Sequence, residues 1–136
     1  MPMELSHLIQ LVCGQKSSLP VGDLPQDVAK YLGCHPGIVY LGHKEVLKIV
    51  RKHPEIRVEE LQCLPFAIAL GEYREDAHRE RCVTIFYKEP IKNTLYTIGV
   101  KSACSDGEAW VQSFYRTTPD KSKNKRQHNK LLCKRR

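Results

Sequence analysis

The sequence lacks a long apolar run. None of its 136 residues belongs to an uninterrupted apolar stretch of about 18 residues, the length a membrane-spanning helix needs. Its first ten residues, MPMELSHLIQ, contain an early Glu and an early His, with no basic segment and no apolar centre, so they do not have the pattern of a signal peptide. These absences argue against a membrane protein and predict a cytoplasmic location.

Paired cysteines are also missing. The chain has no C-x-x-C pair and no Cys/His spacing of the zinc-binding kind. Its six cysteines stand singly and far apart, at Cys13, Cys34, Cys63, Cys82, Cys104 and Cys133. In a chain without a recognisable export signal we expect free thiols in a reducing cytosol and no bound metal.

The motifs of several enzyme classes are absent. There is no glycine-rich phosphate loop, no H-E-x-x-H and no G-x-S-x-G. These absences leave no sign of a cofactor. The chemistry must come from His, Tyr, Arg, Lys, Ser and Thr side chains.

An excess of positive charge is missing except at one end. The net charge is +7, and from Asp120 to the end eight Lys and Arg face one Asp. The preceding residues hold 14 basic and 14 acidic side chains and are neutral overall. We expect residues 119–136 to form a basic, flexible tail that either holds a polyanion such as RNA or is simply solvated.

The remaining residues, 1–118, predict a single α+β domain in which helices precede an antiparallel sheet. Apolar spacing, Gly and Pro predict helices at 4–13, 25–32, 43–52 and 58–70, the last interrupted by Pro65. Residues rich in β-branched and aromatic side chains predict one brief strand at 38–41 and, later in the chain, a meander of three antiparallel strands at 81–88, 94–101 and 109–117, with a short fourth strand in 71–76 ahead of them. We therefore expect a sheet of three to four strands.

Two histidines bracket one short amphipathic helix in GHKEVLKIVRKHPE, residues 42–55. His43 and His53 both fall inside or beside its apolar arc, so both are predicted to point inward. Ten residues separate them by about 15 Å along the axis. One small site cannot easily use both, so at least one is expected to be structural.

The last predicted strand carries several hydroxyl groups. Alternation along SFYRT puts Ser113, Tyr115 and Thr117 on one face. Trp110, expected to be a core anchor, falls with Phe114 and Arg116 on or towards the other face. The row of hydroxyls is either part of a site or an ordinary half-exposed strand.

These side chains suit the cleavage of RNA by its own 2'-hydroxyl group. That reaction needs neither a metal nor a protein nucleophile; it needs a base, an acid and donors for the crowded phosphate. Histidine serves as acid or base near neutral pH, and Arg, Lys and hydroxyl groups bind phosphate oxygens.

The order of the motifs also resembles a known family. IVYLG at 38–42, LKIVRKHPE at 47–55, Leu-Pro at 64–65 and SFYRT at 113–117 are similar to the phage-associated branch of the barnase–EndoU–colicin–RelE nuclease superfamily. The resemblance covers residues 38–118. It implies helices followed by a four-stranded antiparallel sheet and a metal-independent RNase, often a toxin paired with an inhibitor protein.

The resemblance also implies roles for individual residues. His53, in Lys-His-Pro, matches the family's helix histidine, with His43 as the other candidate for catalysis. Ser113, Tyr115 and Thr117 match its terminal strand. The predicted substrate-binding residues are Arg116 on that strand, and Arg81 and Lys101, each of which stands at a strand end.

Two other functions remain open. The same fold could serve as a non-catalytic module that binds nucleic acid or an acidic protein partner. The protein could also be a toxin delivered into another cell, although the sequence contains no delivery signal that we recognise.

Overall fold

The computed structural model describes residues 3–34, 37–76, 78–102 and 108–134. These residues form an α+β fold with five α-helices, one 3-10 helix and seven strands. The helices are α1 (Leu5–Val12), α2 (Gln26–Leu32), α3 (His43–Lys52), α4 (Leu64–Leu70) and α5 (Pro119–His128), and the 3-10 helix covers Val58–Cys63. The strands are β1 (Ser18–Asp23), β2 (Ile38–Gly42), β3 (Glu72–Glu75), β4 (Cys82–Lys88), β5 (Leu95–Ser102), β6 (Glu108–Thr117) and β7 (Leu131–Lys134).

All seven strands belong to one sheet, in the order β1-β2-β6-β5-β4-β3-β7. β2 runs parallel to β6, and the other neighbours are antiparallel. The α+β class and the meander β4-β5-β6 are therefore as predicted. The expected number of three to four strands is too low, because β1, β2 and β7 extend the sheet at its edges. The sheet is also mixed rather than purely antiparallel, because β2 pairs in parallel with β6. β1 contains Pro20 and Gly22 and has an irregular register between them, which explains why its sequence resembles a loop.

The helix boundaries follow from proline and glycine. α3 begins after Gly42 and ends at Lys52, because Pro54 disfavours helical geometry at His53. α2 ends just before Gly33, which has a left-handed backbone (φ 71°). Glycine adopts this conformation without strain because it has no side chain. The helix predicted at 58–70 is divided near Pro65 into the 3-10 helix and α4, since proline fits the first turn of a helix but not its interior.

The predicted flexible tail is wrong for most of its length. Thr118 caps α5 by accepting a hydrogen bond from the Lys121 amide (3.3 Å), and Pro119 occupies the first turn. The chain then returns as β7, which pairs with β3. Thr-Pro-Asp at 118–120 is a helix-start signal that the high charge of the segment obscured.

The core lies on one face of the sheet, beneath helices α1 to α4. Large side chains of the central strands pack there against apolar side chains of the helices. Fully buried examples are Ile85, Ile98 and Phe114 from the sheet, with Leu8, Val28, Leu64 and Ile68 from the helices. We call this the covered face. The opposite face, which α5 crosses, is called the open face.

A bulge in β6 decides which of its side chains reach the open face. The register moves from Gly99↔Ser113 to Val100↔Val111, so Gln112 is an extra residue. Phe114 therefore stays on the covered face, whereas Trp110 pairs with Lys101 on the face that carries Ser113. The prediction that Trp110 shares a face with Phe114 is wrong because strict alternation fails at the bulge, and Trp110 is half-buried.

Among the described residues, no helix is both long enough and apolar enough to cross a bilayer.

Candidate functional site

A cleft with a volume of about 720 Å³ opens on the open face. β4, β5 and β6 form its floor, the end of α3 forms one wall, and α5 forms another. The side chains around it are mostly polar or basic. They include Lys52, His53, Asp76, His78, Arg79, Thr84, Thr97, Ser113, Tyr115, Lys121, Asn124 and Lys125.

Hydroxyl groups from three strands line the floor. Thr97 pairs with Tyr115 across β5 and β6, and Gly99 lies between Thr84 and Ser113. The Ser113 hydroxyl accepts a hydrogen bond from the Gly99 amide (3.1 Å) and keeps its own proton for a ligand. A Cβ at Gly99 would lie 2.5 Å from Ser113 Oγ, so glycine is what lets this hydroxyl lie against β5.

His53 lies at the end of α3 and stacks on Tyr115. The two ring centroids are 5.3 Å apart with an interplanar angle of 26°. Its Nδ1 is 3.6 Å from a carboxylate oxygen of Glu55, and the side chain is 24% exposed. Within the described ranges, no hydrogen bond engages Nε2. His53 therefore lies against Tyr115, and both line the cleft together with Ser113.

α5 closes the other side of the stacked pair. Lys125 Nζ donates a hydrogen bond to the Tyr115 hydroxyl (2.8 Å) and lies 5.5 Å from the centre of its ring. The Tyr115 oxygen accepts from Lys125, so its own proton remains for another acceptor. A segment predicted to be a solvated tail thus supplies part of the cleft.

The charge of the cleft is positive although residues before α5 are neutral in total. Among the described residues, four Lys and Arg side chains line it against one acidic side chain, Asp76. Lys121 and Lys125 come from α5, Lys52 comes from α3, and Arg79 comes from the turn after β3. A local field of this sign favours a phosphate-bearing ligand.

A second histidine, His78, also lines the cleft. It lies in the turn between β3 and β4, and its amide donates to Asp76 Oδ1 (2.9 Å). Because β4 and β6 flank β5, His78 and His53 approach the floor from different sides. His78 was not among the residues predicted for the site. The turn position gave no indication that it would face the same cavity as His53.

His43 lies outside the cleft. Its Nδ1 is 2.6 Å from the Leu11 carbonyl oxygen, so the ring holds the end of α1 against the start of α3. Its Cε1 lies 3.5 Å from the position of a Cβ at Gly14. Of the two histidines that bracket α3, this one has the structural position.

Arg116 lies on the covered side of β6, away from the cleft. Its guanidinium donates to both carboxylate oxygens of Glu60, from Nε (2.7 Å) and from Nη2 (2.6 Å), and also to the Glu55 carbonyl. Tyr96 donates to the same carboxylate (2.7 Å). An arginine held in this way is not available to a phosphate in the cleft, so the predicted substrate role of Arg116 does not agree with its position.

These contacts control the ionisation of the cluster. Burial would raise the pKa of Glu60, but hydrogen bonds from Arg116, the Arg57 amide and Tyr96 outweigh it and lower that pKa to about 2. Burial, and then the hydrogen bond to Glu60, raises the pKa of Tyr96. The cluster is therefore a charged structural contact between β6 and the 3-10 helix.

Three other predicted residues are not among those that line the cleft. Thr117 Oγ1 donates weakly to the Thr118 carbonyl (3.5 Å). Arg81 is exposed in the turn before β4, with a left-handed backbone (φ 59°). Lys101 is exposed beside Trp110, on the open face beyond the cleft.

The hydroxyls of Thr84 and Thr97 were missed because the prediction considered one strand at a time. Alternation along β4 and β5 puts both on the face opposite Ile85 and Ile98, a signal that the sequence contains. The cross-strand partners, however, depend on the register, which is not visible in the sequence.

In the part of the chain that the structure describes, no group of three or more His, Cys, Asp or Glu side chains is placed to hold a metal ion. Cys13, Cys34, Cys63 and Cys82 are free thiols, and Cys104 lies outside the described residues. Burial raises the pKa of the Cys63 thiol to about 12, so this thiol is unreactive at neutral pH.

No family model, curated protein or solved structure matches the chain.

Proposed function

We propose that the cleft cleaves single-stranded RNA through attack by the 2'-hydroxyl group, without a metal ion. The observation that carries this proposal is the stacking of His53 on Tyr115 above the hydroxyl floor of a basic cleft. An imidazole beside phosphate donors is the minimum that the reaction requires.

Each step can be given to a side chain of the cleft. His53 accepts the proton of the 2'-hydroxyl, whose oxygen then bonds to the adjacent phosphorus atom. The bond from phosphorus to the 5'-oxygen breaks, and protonated His78 donates a proton to that leaving oxygen. The products are a 2',3'-cyclic phosphate and a 5'-hydroxyl end.

The remaining groups stabilise the phosphate while charge develops on it. Lys52, Lys121 and Lys125 supply cations, and the hydroxyls of Ser113 and Tyr115 have protons to donate. A preorganised donor in an enclosed site is worth roughly 10²–10³-fold in rate, and a lysine at the partly exposed edge of the cleft is worth less. Gly99 and Lys125 hold two of these hydroxyls in place before the substrate arrives.

We include membership in a nuclease superfamily in this proposal. The motif order at 38–118 and the position of His53 support membership in the phage-associated branch of the barnase–EndoU–colicin–RelE superfamily, although the seven-stranded sheet is larger than the four strands the resemblance implied. An inhibitor protein that covers the cleft and a cytoplasmic site of action, in the producing or a target cell, remain predictions from the resemblance.

The test is incubation of the protein with single-stranded RNA in excess EDTA. We expect cleavage by the wild-type protein and by His7→Ala, because His7 is an exposed histidine on α1 outside the cleft. We expect His53→Ala to lose it. Binding of the RNA without turnover, unchanged by His53→Ala, would instead favour the non-catalytic binding module.

A further inference from the structure

A pair of aromatic rings lies on the open face beyond the cleft. The ring centroids of Tyr40, on β2, and Trp110, on β6, are 5.3 Å apart with an interplanar angle of 32°. Both side chains are half-buried, so each keeps part of its surface in contact with solvent. The cleavage chemistry proposed above uses neither ring.

The register puts this pair on the same face as the cleft. Trp110 is directly opposite Lys101, and Lys101 is directly opposite Cys82, a side chain that lines the cleft. Directly paired residues in neighbouring strands point to the same face. Tyr40 is opposite Trp110 in the parallel pairing of β2 with β6.

The indole ring leans towards the cleft. Its Cζ3 is 3.3 Å from where a Cβ of Gly42 would lie, and Gly42 is two residues beyond Tyr40. Since β2 and β6 run parallel here, that direction along β6 leads to Ser113. Three residues of strand separate Trp110 from Ser113, which is about 10 Å, within reach of a nucleotide next to the one being cleaved.

The charges beside the ring identify the part of a nucleotide that fits. The carboxylate of Glu45 lies close above Gly42, next to the indole, and would repel a phosphate at that point. Lys101 is exposed and pairs directly with Trp110, so its ammonium group can hold a phosphate beside the ring. A flat, uncharged base on the ring and a phosphate on Lys101 satisfy both.

We propose that Trp110, supported by Tyr40, is a stacking subsite for an unpaired nucleobase adjacent to the cleaved phosphodiester. The inference rests on the proposed RNA-cleaving function for its choice of ligand. Stacking on an aromatic side chain accepts any base, so this subsite supplies a preference for unpaired RNA over duplex rather than for a base sequence.

Trp110 is the only tryptophan of the chain, so its fluorescence reports on this ring alone. The probe is a short single-stranded 2'-O-methyl oligoribonucleotide, which binds as RNA does but has no free 2'-hydroxyl to attack. We expect saturable quenching by the oligonucleotide and none by inorganic polyphosphate. Equal responses to both, or binding of a labelled oligonucleotide by anisotropy without quenching, would overturn the subsite.

Two variants test the ring itself. Trp110→Phe keeps a stacking surface and should bind the labelled oligonucleotide within about twofold of wild type, whereas Trp110→Ala should lose roughly 5- to 100-fold in affinity. Circular dichroism checks that both are folded. Equal affinities of the folded Phe and Ala variants would contradict the proposal.

The two proposals fail separately. Quenching by the oligonucleotide in a protein that never cleaves RNA would support the stacking subsite and contradict the proposed nuclease activity. Cleavage that depends on His53, with no change in tryptophan fluorescence on binding, would support the nuclease activity and contradict the stacking subsite.

Discussion

The cleft on the open face and the Glu60 cluster on the covered face use their polar side chains in opposite ways. On the covered face, Arg116 and Tyr96 share the carboxylate of Glu60, and Tyr73 donates to the Ile68 carbonyl (2.6 Å). On the open face, His53 and Ser113 have hydrogen-bonding atoms that the described protein groups leave unused. Saturated groups contribute to stability, whereas the unused ones are ready for a ligand. Changes in the cleft should therefore alter activity, and changes in the Glu60 cluster should alter stability.

The largest expected effect is on activity, from His53→Ala. Removing an acid–base group from the reaction should lower RNA cleavage by roughly 10²- to 10⁴-fold, with little change in the melting temperature because the ring is only stacked at a cleft edge. Steady-state cleavage rates in EDTA and thermal melting measure both. His43→Ala is the matched control from the same helix: it should reduce stability and keep cleavage. The reverse result would contradict the assignment of His53 to the site and of His43 to a structural position.

The second effect is on stability, from Arg116→Ala. This change leaves the Glu60 carboxylate partly buried without its ion pair, and with allowance for the partial exposure of Arg116 it should cost about 2 kcal/mol. Urea denaturation measures this loss. Cleavage by the folded variant should match wild type, since Arg116 is outside the cleft. A folded Arg116→Ala protein with severely reduced cleavage would return this residue to the substrate site.

Acidification should weaken the same covered-face cluster. The pKa of Glu60 is lowered to about 2 from an ordinary 4.5, so the folded state binds this proton less readily than the unfolded state. Its contribution is complete above pH 4.5 and is lost as the pH falls from 4.5 towards 2. We expect about 1–2 kcal/mol after solvent screening.

Urea denaturation of wild type and Glu60→Gln across this pH range measures the cluster's share. The difference in unfolding free energy between the two proteins should shrink as the pH falls. A difference that stays constant from pH 5 to about pH 2 would mean that Glu60 is not the titrating group.

The smallest effect separates two lysines of α5. Lys125 lines the cleft and contacts Tyr115, whereas Lys123 is exposed and is not among the residues that line the cleft. Lys125→Ala should reduce cleavage by about fivefold to tenfold, the worth of one charged hydrogen bond at a partly exposed site. Lys123→Ala removes the same charge and should have a smaller effect. Equal effects would indicate that α5 acts only through its net charge, as a disordered tail would.

Part of this organisation follows from the sequence. Helix α3 and the meander β4-β5-β6 are set by local patterns, such as the apolar arc of α3 and the Pro54 that ends it. The assignment of His53 and the hydroxyls of β6 to one site was implied by the family resemblance. The assignment of Trp110 failed because one bulged residue, Gln112, shifts the alternation of β6.

The rest depends on contacts between distant residues. Nothing near Arg116 in sequence reveals that Glu60, on the 3-10 helix, will engage it. The joining of His78 and Lys125 in one cleft requires the sheet order and the path of α5 across the open face. Local patterns predict elements and their faces, but the members of a site are chosen by register and topology.

The most direct test of the central claim is the chemistry of the RNA ends produced in EDTA. Attack by the 2'-hydroxyl in the cleft predicts 2',3'-cyclic phosphate and 5'-hydroxyl ends from the wild-type protein, no such ends from His53→Ala, and no cleavage of a fully 2'-O-methylated RNA. Ends carrying a 5'-phosphate, or cleavage of the 2'-O-methylated strand, would contradict the account.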